Sequence, residues 1–88
     1  MKQGRSARRR QQDKILAASR LVLVERSHGY CEAAQGDICV GPGDQAHHVK
    51  RRSQGGDHEP GNLLWVCHRC HTWIHGNVAV SKRKGWLG

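Results

Sequence analysis

The chain has no phenylalanine, one tyrosine, one methionine and two prolines among its 88 residues. No apolar run approaches the length of a membrane-spanning helix. The first shortage excludes a large aromatic core, and the second excludes a helical membrane anchor within this sequence. Acidic residues are also scarce, seven against fifteen Lys and Arg, for a net charge of +8. A domain this short buries little apolar surface, and such domains often fold on a metal or on disulfides. The mean hydropathy of −0.74 agrees. The opening residues are basic and polar with no apolar stretch behind them, so no signal-peptide pattern is visible and we expect a reducing, cytosolic setting.

What is present is concentrated. Cys31, Cys39, Cys67 and Cys70, with His47, His48, His71 and His75, place most of the metal-binding side chains within residues 31–75. The Cys67-x-x-Cys70 spacing suits two thiolates on one tetrahedral ion, which favours zinc over two disulfides. Four thiolates saturate such an ion and leave no place for substrate, so the expected role is structural. The x7 spacing of Cys31 and Cys39 is wider than a usual knuckle, and His68 or His28 in place of one cysteine is the competing set. His71 and His75 stand at i and i+4, on one face of a short helix.

The positive charge falls in three groups: Lys2 with Arg5, Arg8, Arg9 and Arg10; Lys50 with Arg51 and Arg52; and Lys82 with Arg83 and Lys84. Such an excess favours a polyanionic partner. For the first group alone, a solvated tail that aids solubility is an equal reading.

Along the chain, residues 1–12 read as a disordered basic arm. Residues 13–27 read as a helix capped by Asp13, with Ile15, Leu16, Leu21, Val22 and Val24 apolar and Arg20, Glu25 and Arg26 facing water. Gly29 is a candidate left-handed cap. A cysteine loop follows, then a short extended run from Gln45 to Val49, then a long loop over 50–61. Leu63 to Val66 reads as a strand, Cys67 to Cys70 as a turn, and Cys70 to Gly76 as a helix. One domain over 13–80, with its core about 45–77, precedes a basic tail over 81–88 that is mobile unless Trp86 and Leu87 dock. His28 and His68 read as helix-end and exposed residues, and His58 as a loop-surface residue, with support of substrate binding as its alternative. Trp65 and Trp73 read as core packing.

The run Ala46-His47-His48-Val49, then Gly55-Gly56, Asn62-Leu63-Leu64, Cys67-His68-Arg69-Cys70-His71 and His75, resembles the HNH endonuclease family over residues 31 to about 78. The resemblance implies an α+β fold, a small ββα-metal (His-Me finger) domain, here with an N-terminal helix and a structural Zn²⁺ on the four cysteines. It implies His48 as general base and Asn62 as the residue that ties the long loop and helps orient that base through a backbone carbonyl. It implies His47, His71 and His75 as ligands of a catalytic divalent ion. Many relatives carry Asp or Glu where His47 stands, and some lack the last histidine. Three imidazoles favour Mn²⁺, Ni²⁺, Co²⁺ or Zn²⁺ over Mg²⁺. Arg51, Arg52 and Lys50 are the candidate phosphate contacts.

The expected activity is hydrolysis of DNA phosphodiesters to 5′-phosphate and 3′-hydroxyl ends, by nicking or double-strand cutting, with low sequence specificity. The expected partners are DNA and a larger protein such as a phage terminase, with the chain a monomer or weak dimer in the cytoplasm of a phage-infected bacterium. Two other functions compete: a catalytically silent zinc module that binds nucleic acid, and a zinc-stabilised interaction protein whose basic tails meet an acidic partner.

Overall fold

The computed structural model describes residues 7–88. The chain runs from a long helix α1 (Ala7–Ser27) through the cysteine loop to strand β1 (Gln45–His48). After the long loop come strand β2 (Leu63–Val66), helix α2 (His68–Gly76) and helix α3 (Val78–Arg83). The strands form one antiparallel pair with Gln45 opposite Val66 and His48 opposite Leu63. This is the expected α+β arrangement of two strands with helices.

Helix α1 begins six residues before Asp13, where a disordered arm is expected; residues 1–6 of that arm lie outside the described residues. The reason is local. Residues 7–12 are Ala, Arg and Gln, all strong helix formers, and neither Gly nor Pro interrupts 7–27. The face turned to the domain is Gln12, Ile15, Leu16, Ser19, Leu23 and Ser27, at helical spacing. Leu23 is fully buried, whereas Leu21, Val22 and Val24 of the expected apolar set are exposed. Arg26 does not face water alone. Its guanidinium grips Glu32 through both carboxylate oxygens, at 2.7 and 2.6 Å, and donates to the carbonyls of Pro60 and Leu63. Glu32 in turn accepts from the Trp65 N–H at 2.8 Å, so one ion pair fixes α1 to β2. The helix ends where His28 and Gly29 both turn to positive φ, and the Gly29 N–H closes on the Val24 carbonyl.

Three thiols are buried in the core. Cys31, Ala33, Val66, Cys67, Cys70, Ile74 and Leu87 form its buried cluster, with Cys39, Leu64, Trp73 and Trp86 packed against it. Residues 81–88 are therefore not a mobile tail. Ser81 is fully buried and its hydroxyl donates to the Ile74 carbonyl, Leu87 enters the core, and the Gly88 N–H donates to the Val49 carbonyl at 2.9 Å. Among the described residues no helix is long and apolar enough to cross a membrane.

Candidate metal and nuclease site

The sulfur cluster forms where three segments meet. Cys31 and Cys39 come from a loop closed by the Cys31 N–H on the Gly41 carbonyl, and Cys67 caps α2 just ahead of Cys70. The four sulfur atoms lie within 4.8 Å of one another. Thiolates bound to one zinc at about 2.3 Å fall within that spread. Backbone N–H groups already point at the sulfurs: Ala34 to Cys31, Gln35 to Cys70, Gly41 to Cys39 and Cys70 to Cys67. Burial opposes ionisation of Cys67, but N–H groups of Val40 and Cys70 and the neighbouring thiols outweigh it and bring it down to about 6. Burial pushes the Cys70 thiol up. This cluster is compatible with a structural zinc; His68 is exposed on the outer side of the turn and takes no part among the clustered ligands.

The second cluster is made by β1 and α2. Side chains of successive strand residues leave in different directions. His47 turns to α2, where His71 and His75 stand one helical turn apart, and ring centroids lie 5.1 and 5.4 Å from it. The ligand atoms of the three histidines lie within 4.8 Å of one another, and the Nε2 atoms of His71 and His75 are 3.2 Å apart. Two imidazole nitrogens at about 2.0–2.1 Å from one ion sit about 3.3 Å apart in tetrahedral geometry, so the donor set fits a shared metal.

On His47 and His71 the other ring nitrogen is already engaged. His47 Nε2–H donates to the Trp86 carbonyl at 2.7 Å, and His71 Nδ1–H donates to Gln45 Oε1 at 2.6 Å. These bonds fix the tautomers that leave His47 Nδ1 and His71 Nε2 with lone pairs for a metal. Burial, with the neighbouring imidazoles, lowers the pKa of His47 and of His71, which favours the neutral ligand form. Neither Gln45 nor Trp86 is an expected site residue. Gln45 had a signal, being two places before His47 on the same strand face; Trp86 had none.

His48 turns the other way, to the long loop. Its Nε2 lies 2.9 Å from Nδ1 of His58, with ring centroids 5.0 Å apart. His58 is 4% exposed, so the expected loop-surface role is overturned: the loop folds inward there. Burial first, then His58, Arg52 and His47, lowers the His48 pKa, against the opposing pull of Asp57. Asn62 accepts from the Lys50 N–H and donates to the carbonyls of Lys50 and Asp57, so its side chain joins those two positions of the loop. Those side-chain bonds go to Lys50 and Asp57 and not to His48 itself.

His47, His48, His71, His75, Arg51 and Arg52 line one cleft of about 350 Å³. Lys50 is exposed and is not among its lining residues; its backbone is engaged by Asn62 instead. Arg52 also borders a second cleft of about 740 Å³, where Arg8, Arg9, Asp13, Asp57 and His58 meet.

Comparison with curated proteins and with solved structures returned no match. The HNH endonuclease family profile matches residues 29–76, which include both strands, both cysteine pairs and all four histidines of the cleft. With more than half of the chain covered by that match, the protein belongs to the HNH endonuclease family.

Proposed function

We propose that the chain is a metal-dependent DNA endonuclease whose reaction centre is the cleft of His47, His48, His71 and His75. The observation that carries this reading is the convergence of three imidazole ligands beside a fourth that is held off them by its own partner. A divalent ion bound by His47, His71 and His75 would supply Lewis-acid stabilisation where negative charge develops on the phosphate and the leaving oxygen. Three nitrogen donors suit Mn²⁺, Ni²⁺, Co²⁺ or Zn²⁺ better than Mg²⁺, which prefers oxygen.

His48, neutral near pH 7, is the general base that takes a proton from the attacking water. Attack in line with the 3′-oxygen leaves a 5′-phosphate and a 3′-hydroxyl. Arg51 and Arg52 line the same cleft, which supports a role in holding the scissile or a flanking phosphate, for which guanidinium geometry is suited. Arg8 and Arg9 extend the basic track across the neighbouring cleft, which supports DNA rather than a small phosphate ester as substrate. The single small domain supports low intrinsic specificity, with site choice left to a larger partner such as a phage packaging terminase.

Supercoiled-plasmid cleavage tests the reading, with Mg²⁺, Mn²⁺, Ni²⁺ or Zn²⁺ and with EDTA after zinc loading. Wild type nicks with added metal, and His48→Ala, equally folded, loses about 10²-fold or more. A folded, metal-loaded wild type that binds DNA but fails to cut it whichever ion is added would instead make the chain a silent zinc-stabilised binding module.

A further inference from the structure

The contact between His48 and His58 determines how the base is held. Two ring nitrogens 2.9 Å apart share one hydrogen, so one ring donates and the other accepts. If His58 donated, His48 would spend its Nε2 lone pair on that bond and carry its own hydrogen on Nδ1. No lone pair would then remain for a proton from water. If His48 Nε2–H donates to His58 Nδ1, the Nδ1 lone pair of His48 is free. Only the second arrangement leaves a working base, and it survives proton uptake, because the imidazolium still donates through Nε2.

The backbone around His58 is fixed for this task. The Glu59 N–H donates to Asp57 Oδ1 at 3.1 Å, and the Asp57 carbonyl accepts from Asn62 Nδ2 at 2.9 Å. The same Asn62 side chain bonds both backbone groups of Lys50, two residues beyond His48. Asn62 thus closes the loop over 50–57 and delivers His58 onto His48.

Resting on the nuclease reading for its catalytic consequence, we infer that His58 is a positioning residue for His48: its Nδ1 accepts from His48 Nε2–H and fixes the base in the tautomer with Nδ1 bare. Asn62 acts on the base through this second histidine side chain.

The test has two arms. Long-range ¹H–¹⁵N correlation spectra of the zinc-loaded protein near pH 8, where imidazoles are neutral, report the tautomer directly. His48 of wild type carries its proton on Nε2. His58→Leu loses the single tautomer, and His58→Asn retains it, because the Asn Oδ1 accepts near the place of Nδ1. In plasmid nicking, His58→Leu lowers kcat by about 10²-fold with KM for DNA within about twofold, and His58→Asn recovers at least about tenfold of that loss. A His48 proton on Nδ1 in wild type overturns the inference and needs no variant. So does His58→Leu that nicks within about twofold of wild type, or folded His58→Asn no better than His58→Leu. Wild type that fails to nick whichever ion is added sinks the nuclease reading alone, and the tautomer still decides whether His58 positions His48.

Discussion

His47 and Trp86, 39 residues apart, are joined by a 2.7 Å hydrogen bond from the imidazole Nε2–H to the backbone carbonyl. The bond turns Nδ1 of His47 toward His71 and His75, so the C-terminal segment is a supporting part of the proposed metal site. Removing residues 86–88 is expected to lower Mn²⁺ or Ni²⁺ affinity by about 10–100-fold. It also removes Leu87 from the core, so Leu87→Ala serves as the control: it costs stability, about 2–3 kcal/mol, but keeps the carbonyl and most of the affinity. Titration calorimetry on the two variants separates the effects. Unchanged affinity in the truncated chain would show that the carbonyl does not matter.

Much of this site was legible because its signals are local or repeated. The i, i+4 spacing of His71 and His75 and the Cys67-x-x-Cys70 turn state their own geometry, and a hairpin brings His47 to them. Other parts depend on contacts between distant segments. The basic composition of residues 81–88 reads as a solvated tail, yet Leu87 is 7% exposed because it packs into the same cluster as Cys31, Cys67 and Cys70. His58 reads as loop surface because nothing near it in sequence announces that Asn62 will fold the loop inward. Residues 7–12 read as a disordered arm by their charge, but their helix propensity decides their structure.

The loop that carries His58 closes only because residue 56 has no side chain. A Cβ at Gly56 would overlap the Lys50 carbonyl, which is backbone and cannot swing aside. Gly56→Ala is therefore expected to open the loop, costing about 1–3 kcal/mol and a large part of the nicking rate. Gly61→Ala, whose Cβ would meet nothing within 4 Å, is expected to leave both nearly intact. Urea melts and plasmid nicking on the pair check this; equal behaviour of the two variants would remove Gly56 from the account.

Arg52 borders both clefts, and Arg8 and Arg9 lie only in the outer one. If DNA follows both, Arg52→Gln should reduce the slope of log Kd against log salt by about one, and Arg8→Gln with Arg9→Gln by about two. The losses should be similar for unrelated DNA sequences. A double variant with the wild-type slope would confine the DNA to the inner cleft.

The sulfur cluster supplies a large share of the buried core, so zinc and folding should be inseparable. Stripping zinc with a strong chelator is expected to abolish the cooperative thermal transition, and Cys67→Ser to lose both bound zinc and protection of the amides over 63–76. Circular dichroism and zinc content report this. A chelated chain that melts as the loaded one does would mean that the thiols pack without metal.

The site histidines give acid sensitivity a definite sign. Burial, followed by the neighbouring imidazoles and, for His48, Arg52, holds His47, His48 and His71 below the ordinary value of about 6.5. Between that value and the lower folded ones, the unfolded chain binds more protons than the native chain, so stability falls as pH drops through this window and then levels off. Nothing is lost above it, where both states are neutral. The nicking rate follows the neutral base, so its acid limb should lie below about 6.5, and the plateau should already be reached near neutrality. Urea midpoints and single-turnover nicking measured between about pH 5 and 8 test both trends, and the window from the histidines is isolated by its shrinkage in His71→Gln. An acid limb centred above 6.5 would mean that another group carries the rate.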